Sequence, residues 1–461
     1  MPVTRRDFIR ASCCTAAALG VASSFSRFGL VNALAQSSTD FRALVCIFLF
    51  GGNDSNNLLI PNDAAGYANY LSARKAISAG GLALDQSTLL PITSKTQQVG
   101  TNSFGLHGNL PEVQTLFNNG NLAFLANVGT LVAPTTRAQY TQLTQTVPSN
   151  LFSHADQQTQ WQTSEPNSFG TTGWAGRIAD AVEPAFNASS MFPPITTVAG
   201  TAIFCTGQQT QPYAIIPGTT PGLTGFDNSA PSTARLAALQ QLLTFDTGIS
   251  LVQAASSITS NSLADSKILS AALASAPTLA TVFPANNSLA AQLKQVAQII
   301  SVRAALGLSR QVFFCSLGGF DTHNNQIALQ QALFEQLSPA MLAFYNATVE
   351  LNLAQQITTF TMSDFSRTFQ PASGGGTDHA WGSVQMIMGG GVAGGDIYGT
   401  LPTFTLGGPS DAGSNGRWIP TSSIDQYGAT LASWFGVPAA QLPQIFPNLA
   451  NFTTQGLGFL G

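Results

Sequence analysis

Short apolar runs, each closed by glycine or polar residues, recur along the chain and alternate with longer segments of amphipathic helical spacing. The clearest runs are Ala43–Phe50, Val312–Leu317 and the run that begins at Ile357. Runs this short, rich in Val, Ile and Phe, predict strands that are buried on both faces. Because helical segments separate them, the pattern predicts an α/β fold with a mainly parallel central sheet and right-handed crossovers.

The same alternation predicts the remaining elements. Further strands are expected at Leu122–Val128, Pro194–Phe204 and Val384–Met388. The Ala/Ser/Leu-rich stretch Ala230–Ala276 predicts a helical insertion around residues 208–280 rather than a separate domain. The predicted helices are Gly66–Ile77, Leu110–Phe117, Trp174–Val182, Leu289–Leu306, Gln330–Leu353 and Tyr427–Phe435.

The first 35 residues have the features of an export signal. The segment Thr4–Arg10, TRRDFIR, resembles the twin-arginine signal, and Ala33–Ala35 provides an A-x-A cleavage site after a modest apolar stretch. We therefore expect a leader at residues 1–35, recognised by the twin-arginine export machinery, and one α/β domain over residues 36–461. The mature protein is expected in the bacterial periplasm or outside the cell, without membrane insertion.

The composition narrows the classes of partner. Of the 461 residues only 8% are charged, and the net charge is −4. A sparse, mildly acidic surface without a Lys/Arg run argues against nucleic acid and against anionic membranes. Outside the leader, Cys46, Cys205 and Cys315 follow or lie inside apolar runs, so we interpret them as small buried thiols.

Polar residues suited to catalysis follow the three clearest strands. Asp54 comes after the first strand, Asp321 and His323 follow a glycine pair after the second, and Asp364 ends the third. His379 follows shortly afterwards, again beside an aspartate. Because the carboxyl ends of parallel strands meet at one edge of a sheet, these side chains are expected to share one cleft.

A set of carboxylates and imidazoles is typical of a metal site. Mixed oxygen and nitrogen ligands suit Zn²⁺, Mn²⁺ or Fe, whereas Mg²⁺ or Ca²⁺ alone is usually held by oxygen. Five ligands exceed one tetrahedral site with an open position, so two divalent ions are possible. Each aspartate could equally cap a helix or close a turn, although capping does not explain the adjacent histidines. For His107 and His154 a structural and a functional role remain equally open.

Several motifs together resemble one family. They are GGNDSNN, FGLHGNL, FSHADQQ, SLGGFDTHNNQ, SDFSRT, GTDHAWG and the closing DQYGATLASWFGV and FPNLANF. With the leader, they resemble the DUF1501 family of exported bacterial proteins of uncharacterised function. That family is similar in layout to the alkaline phosphatase/sulfatase superfamily. The resemblance implies a three-layer α/β/α fold with a two-metal site at the carboxyl ends of the strands.

The resemblance also implies roles for individual residues. Asp54, Asp321, His323, Asp364 and His379 take the positions of metal ligands. The chain departs from the superfamily in two ways: Phe365 follows Asp364 where a histidine is common, and the Asp321/His323 spacing is shorter than usual.

A nucleophile and an anion-binding group are also implied. The FSHA motif is similar to an R-S-H-F pattern, which makes Ser153 the proposed nucleophile, with Phe152 in place of the arginine and Ser55 as the alternative. Ser153 could equally cap the following helix. The guanidinium of Arg367 could bind an anionic substrate or pair with a neighbouring carboxylate.

These expectations favour an exported metal-dependent hydrolase of phosphate or sulfate esters. Its substrate would be a small-molecule or polymer-borne anionic ester. The alternative is a non-catalytic periplasmic or cell-surface scaffold or binding protein that keeps the fold with a structural or vestigial metal site. Metal content and turnover of aryl phosphate and sulfate esters distinguish the two.

Overall fold

The structure is a computed structural model that describes residues 40–461, apart from residues 169, 224, 228 and 247. The predicted leader lies outside the described residues. The described strands form one large and one small sheet. They are β1 (Arg42–Phe50), β2 (Leu59–Pro61), β3 (Leu90–Gln98), β4 (Thr101–Leu106), β5 (Leu122–Gly129), β6 (Ile195–Thr197), β7 (Tyr213–Ala214), β8 (Arg310–Gly318), β9 (Ile357–Ser363), β10 (Ser383–Met388), β11 (Ile397–Gly399) and β12 (Ser422–Ser423).

The large sheet has the order β11-β5-β10-β9-β1-β8-β6-β7, and β12 pairs with β5. Strand β1 lies between β8 and β9 and is parallel to both, so the predicted parallel core is confirmed. Only β10 among the described strands of this sheet runs against its neighbours, β5 and β9. The register pairs Phe50 with Gly318 and Leu49 with Ser363. The carboxyl ends of the three central strands therefore lie side by side.

Helices cover both faces of this sheet and produce three layers. Alternate residues of β1 point to opposite faces, with Val45 and Ile47 in one core and Leu44 and Cys46 in the other. The described helices are α1 (Ala64–Arg74), α2 (Pro111–Asn118), α3 (Arg137–Thr141), α4 (His154–Thr163), α5 (Trp174–Phe186), α6 (Ala230–Leu243), α7 (Ser250–Ala274), α8 (Ser288–Ser301), α9 (Arg303–Leu306), α10 (Gln326–Glu350), α11 (Ile424–Phe435) and α12 (Leu442–Ile445).

Two segments differ from the sequence expectation. The predicted strand Pro194–Phe204 is a strand only over Ile195–Thr197 and ends in a 3-10 turn at Ile203–Cys205. The polar stretch before α2 holds the unpredicted antiparallel sheet β2-β4-β3. Its strands, such as LPITSKTQQ, alternate weakly and bury one face, so their apolar signal is small.

The cysteines and the helical insertion match the expectations. The thiols of Cys46, Cys205 and Cys315 are free and buried. The stretch predicted as a helical insertion contains α6 and α7, and both helices expose many apolar side chains. No helix in the described part of the chain is both long enough and apolar enough to span a membrane.

Candidate metal centre

Two glycine-bearing loops bring the candidate side chains together at the ends of β1 and β8. The amide of Phe320 donates to the carbonyl of Phe50 at 3.0 Å, so the loops touch directly after the strands end. Gly51 has a φ of +114°, and a Cβ at this position would collide with the backbone amide of Asp321. Only glycine therefore permits this approach, which leaves the Asp321 side chain half-exposed at the strand edge.

Three imidazoles surround the carboxylate of Asp321. Its Oδ1 lies 3.0 Å from Nε2 of His323, 3.3 Å from Nε2 of His154 and 3.4 Å from Nε2 of His379. The Nε2 atoms of His323 and His379 are 2.9 Å apart. Ligands at about 2.1 Å from a tetrahedral ion lie roughly 3.4 Å from one another. The ligand atoms of His154, Asp321 and His379 all lie within 4.8 Å of one another, a spacing compatible with ligands around one ion, and His323 lies beside them.

The hydrogen bonds behind two of the rings fix the tautomers that a metal requires. Nδ1 of His154 lies 2.6 Å from Oδ2 of Asp364, and Nδ1 of His379 lies 2.6 Å from the carbonyl of Phe152. Each Nδ1–H donates to its oxygen, so in each neutral ring the lone pair is on Nε2, the atom that lies within 3.4 Å of Asp321. Nε2 of His154 is buried without a hydrogen-bond partner. Lone pairs gathered against a carboxylate are the arrangement that a cation stabilises, so the residues fit a bound metal ion.

The pKa values reflect these contacts. The hydrogen bond to Asp364 raises the pKa of His154, whereas burial lowers the pKa of His379. Burial raises the pKa of Asp321, but the hydrogen bond and the positive charge of Arg367 lower it by more. The pKa of Asp321 therefore lies below its ordinary value. Asp321 is therefore held as a carboxylate, which is the form that binds a metal.

Asp364 lies behind the cluster and contacts it through His154. Its side chain is fully buried, and its Oδ2 also accepts from Nε2 of Gln158 at 2.8 Å. Its Oδ1 accepts from the amide of Gly51 at 3.1 Å. The structure thus brings Asp364 to the site as the hydrogen-bond partner of a candidate ligand, rather than beside Asp321.

Asp54 occupies a separate buried network. Its Oδ2 lies 2.5 Å from Nη2 of Arg74 and 2.5 Å from Nε2 of Gln326, and its Oδ1 accepts twice from Asn56. Among the described residues, no contact joins this carboxylate to Asp321 or to the three histidines. Asp54 is therefore saturated by protein donors and is not part of the cluster.

Arg367 is fully buried beneath the same loops. Its Nε donates to the carbonyl of Gly52, its Nη1 to Thr377, and its Nη2 to Gly51 and to Asp321. This guanidinium braces the strand-end loops and holds Asp321. Of the two roles considered for it, the structure shows the pairing with a carboxylate.

The candidate nucleophiles have different surroundings. Ser153 precedes α4, and its hydroxyl donates to Oδ2 of Asp156 at 2.5 Å. It adjoins Phe152, whose carbonyl binds His379, so it lies next to the cluster along the chain. Ser55 is buried, and its Oγ accepts from the amide of Val384 at 2.7 Å. That contact gives Ser55 a structural role.

Two residues gain roles that the sequence left open or missed. His154, the first residue of α4, belongs to the cluster, whereas buried His107 packs edge-on against Phe334. Burial lowers the pKa of His107 to about 4, as expected for a neutral core histidine. Arg417 is the residue that the sequence motifs miss, and its Nε donates to the carbonyl of His379 at 2.9 Å. No motif marked Arg417, because it follows a glycine-rich loop far along the chain.

Comparison with solved structures finds distant likenesses. The PsFucS1 sulfatase from Pseudoalteromonas sp. matches with 11% identity and a TM-score of 0.32, covering 88% of this chain and 75% of that chain. The lipoteichoic acid synthase LtaP from Listeria monocytogenes matches with 8% identity and a TM-score of 0.33, covering 86% of this chain and 80% of that chain. The zinc complex of the C-terminal periplasmic domain of EcEptC from Escherichia coli has 8% identity, a TM-score of 0.32, and coverage of 77% and 74%. Likenesses this distant carry no information about activity.

The sequence comparisons give one clear result. No curated protein matches the chain. The family model described as "Protein of unknown function (DUF1501)" matches residues 42–409, which span β1 through the loop after β11 and include every member of the cluster. This match confirms the resemblance seen in the motifs, and the chain belongs to the DUF1501 family.

Proposed function

We propose that the protein is an exported metal-dependent hydrolase of phosphate or sulfate esters. The observation that supports this proposal is the convergence of three imidazole Nε2 atoms on the Oδ1 of Asp321. The groups come from the start of α4, the end of β8 and the loop after β9. They are far apart in the sequence, so the fold brings them together. Export by the twin-arginine route is part of the proposal and is supported by the TRRDFIR leader.

His154, His379 and Asp321 would hold one divalent ion, with His323 beside them. A set of imidazole nitrogens and a carboxylate oxygen suits Zn²⁺, Mn²⁺ or Fe better than Mg²⁺ or Ca²⁺. A cation bound there supplies Lewis-acid stabilisation of the negative charge that develops on the ester oxygens. The proposal requires a single ion, because the carboxylate of Asp54 is bonded to Arg74.

Ser153 is the proposed nucleophile. Asp156 holds its hydroxyl in a fixed orientation at the start of α4, one residue from His154. In the reaction, the Ser153 oxygen bonds to phosphorus or sulfur, and its proton ends on the departing alcohol. Water then attacks the covalent ester, which releases the inorganic anion and restores the serine hydroxyl.

The second candidate is a non-catalytic periplasmic or cell-surface protein with a structural or vestigial metal. The contact between Ser153 and Asp156 favours it, because the hydroxyl is bonded to a neighbouring side chain of the same helix start and not to a cluster residue. In this case the ion would stabilise the strand-end loops, and Ser153 would serve only α4.

Metal analysis and ester turnover separate the two candidates. We expect the purified exported protein to contain about one transition-metal ion per chain and to hydrolyse 4-nitrophenyl phosphate or sulfate. His154→Ala should lose metal and turnover together, whereas Ser153→Ala should keep the metal and lose turnover. His107→Phe is the matched control and should retain both. Bound metal without turnover of any ester would support the non-catalytic candidate.

A further inference from the structure

We propose that Arg417 binds the anionic group of the substrate, an inference that rests on the proposed function. The side chain is attached to the metal cluster through His379. Its Nε donates to the main-chain carbonyl of His379 at 2.9 Å. Its guanidinium carbon lies 4.3 Å from the ring centroid of Phe152, within the range of a cation–π contact.

Phe152, His379 and Arg417 contact one another in a closed set, and His379 is a candidate metal ligand. The carbonyl of Phe152 accepts from Nδ1 of His379 at 2.6 Å, and the ring of the same phenylalanine supports Arg417. His379 is therefore held on its imidazole side by Phe152 and on its backbone side by Arg417. The guanidinium and the candidate ligand therefore share a fixed relation. The proposal places the anionic end of a bound ester against both.

The main chain that carries Arg417 is also fixed. The buried carboxylate of Asp411 accepts from the amides of Gly407, Gly413 and Gly416 at 2.9 Å each and from the amide of Arg417 at 3.0 Å. Four amide donors on one carboxylate hold this loop in a single shape. The loop thus presents Arg417 without the entropy loss that a mobile arginine would undergo on binding.

Arg417 differs from the other guanidiniums near the site in its free donors. Arg367 and Arg74 are fully buried and bonded to carboxylates and carbonyls. Arg417 is half-buried, and within the described part of the chain its two terminal nitrogens have no bonded partner and no carboxylate within ion-pair distance. An oriented planar fork with free N–H groups is suited to bidentate binding of a phosphate or sulfate group.

Substitution at Arg417 tests the assignment. Arg417→Met should raise the KM for 4-nitrophenyl phosphate or sulfate, and weaken binding of inorganic phosphate and sulfate, by about ten- to a hundredfold. The metal content should stay the same, because Arg417 bonds to the main-chain carbonyl of His379 and not to its imidazole. Arg417→Lys keeps the charge without the fork and should recover only part of the affinity. Phe152→Leu removes the ring but keeps the carbonyl and should give a smaller loss than Arg417→Met.

The matched control is Arg235→Met. Arg235 also stacks on a phenylalanine, Phe226, at 5.0 Å, but it lies on α6 and contacts no cluster residue. It should leave KM, anion binding and metal content unchanged.

The outcomes separate this inference from the proposed function. Normal KM and normal anion binding in Arg417→Met, with metal and turnover retained, would overturn the assignment and leave the hydrolase proposal standing. Loss of metal in Arg417→Met would also overturn it, because the residue would then act by holding His379. If the wild-type protein binds metal and inorganic phosphate but hydrolyses no ester, the hydrolase proposal fails. The assignment of Arg417 would then be tested by calorimetric titration of inorganic phosphate into the wild type and Arg417→Met, and equal affinities would overturn it.

Discussion

The contact behind each imidazole determines what His154 and His379 can do. A neutral histidine whose Nδ1–H is held by an oxygen has its lone pair on Nε2 and its ring in a fixed orientation, which is why such oxygens matter to metal sites. For His154 that oxygen belongs to the buried carboxylate of Asp364, and for His379 it is the carbonyl of Phe152. Asp364 thus acts on the cluster through its hydrogen bond to His154.

Asp364→Asn is the residue-scale test of this arrangement. The amide oxygen of asparagine can still accept from His154, but it lacks the negative charge that raises the basicity of the ring. We expect metal affinity to fall by about ten- to a hundredfold, measured by competition with a chelator of known affinity. An unchanged affinity would show that His154 needs no carboxylate partner.

Asp156→Asn supplies the comparison for Asp364→Asn. Asp156 lies on the same helix as His154, but its carboxylate accepts from Ser153 and Asn150 and not from an imidazole. Its replacement should leave metal affinity unchanged. Thermal unfolding of both variants shows whether any loss of affinity reflects a loss of folded protein.

At the scale of elements, buried arginines link the loops that follow the central strands. Arg74 on α1 pairs with Asp54 after β1 and also donates to the carbonyls of Thr368 and Phe369 after β9. Arg367 joins the loop after β1 to the loop after β8. These cations hold the strand ends together beneath the exposed cluster.

Arg74→Met should destabilise the fold strongly. Removing one member of a buried ion pair leaves the other charge uncompensated, and the expected loss is about 3–5 kcal/mol in the free energy of unfolding. Urea denaturation measures this loss. Adding Asp54→Asn should restore much of the stability, because the stranded charge is then removed. If the double variant is as unstable as the single one, the pairing does not explain the effect.

Strands and helices with a strong hydrophobic pattern could be predicted from the sequence. The direction of a strand and its exact length could not. The run at Ala43–Phe50 gave β1, since a fully buried strand has an uninterrupted apolar signal. The antiparallel direction of β10 leaves no such signal, because strand direction depends on the connection and not on periodicity. Pro194–Phe204 also looked like one strand, yet the chain turns into a 3-10 helix at Ile203.

At the scale of the whole molecule, the alternation of elements predicted the fold, and the fold predicted a common edge for the strand-end residues. Asp321, His323 and His379 meet there because parallel strands align their carboxyl ends. The sequence did not decide the role of His154, because this residue begins a helix whose position hydrophobic periodicity does not specify. Asp54 has the same sequence signature as a ligand, and only the approach of Arg74 shows that its charge is already neutralised.

Removal of the metal should therefore lower the stability of the whole molecule without unfolding it. The two central cores and the buried Arg74–Asp54 pair form without the ion, whereas the cluster around Asp321 lies at the exposed strand edge. At a free metal concentration of 100 times the dissociation constant, one bound ion adds about 2.7 kcal/mol to the free energy of unfolding. We expect a chelator to lower Tm while the far-ultraviolet circular dichroism stays native. Readdition should restore Tm with a stoichiometry of about one ion per chain, and saturation at two ions would show that Asp54 or Asp364 binds metal after all.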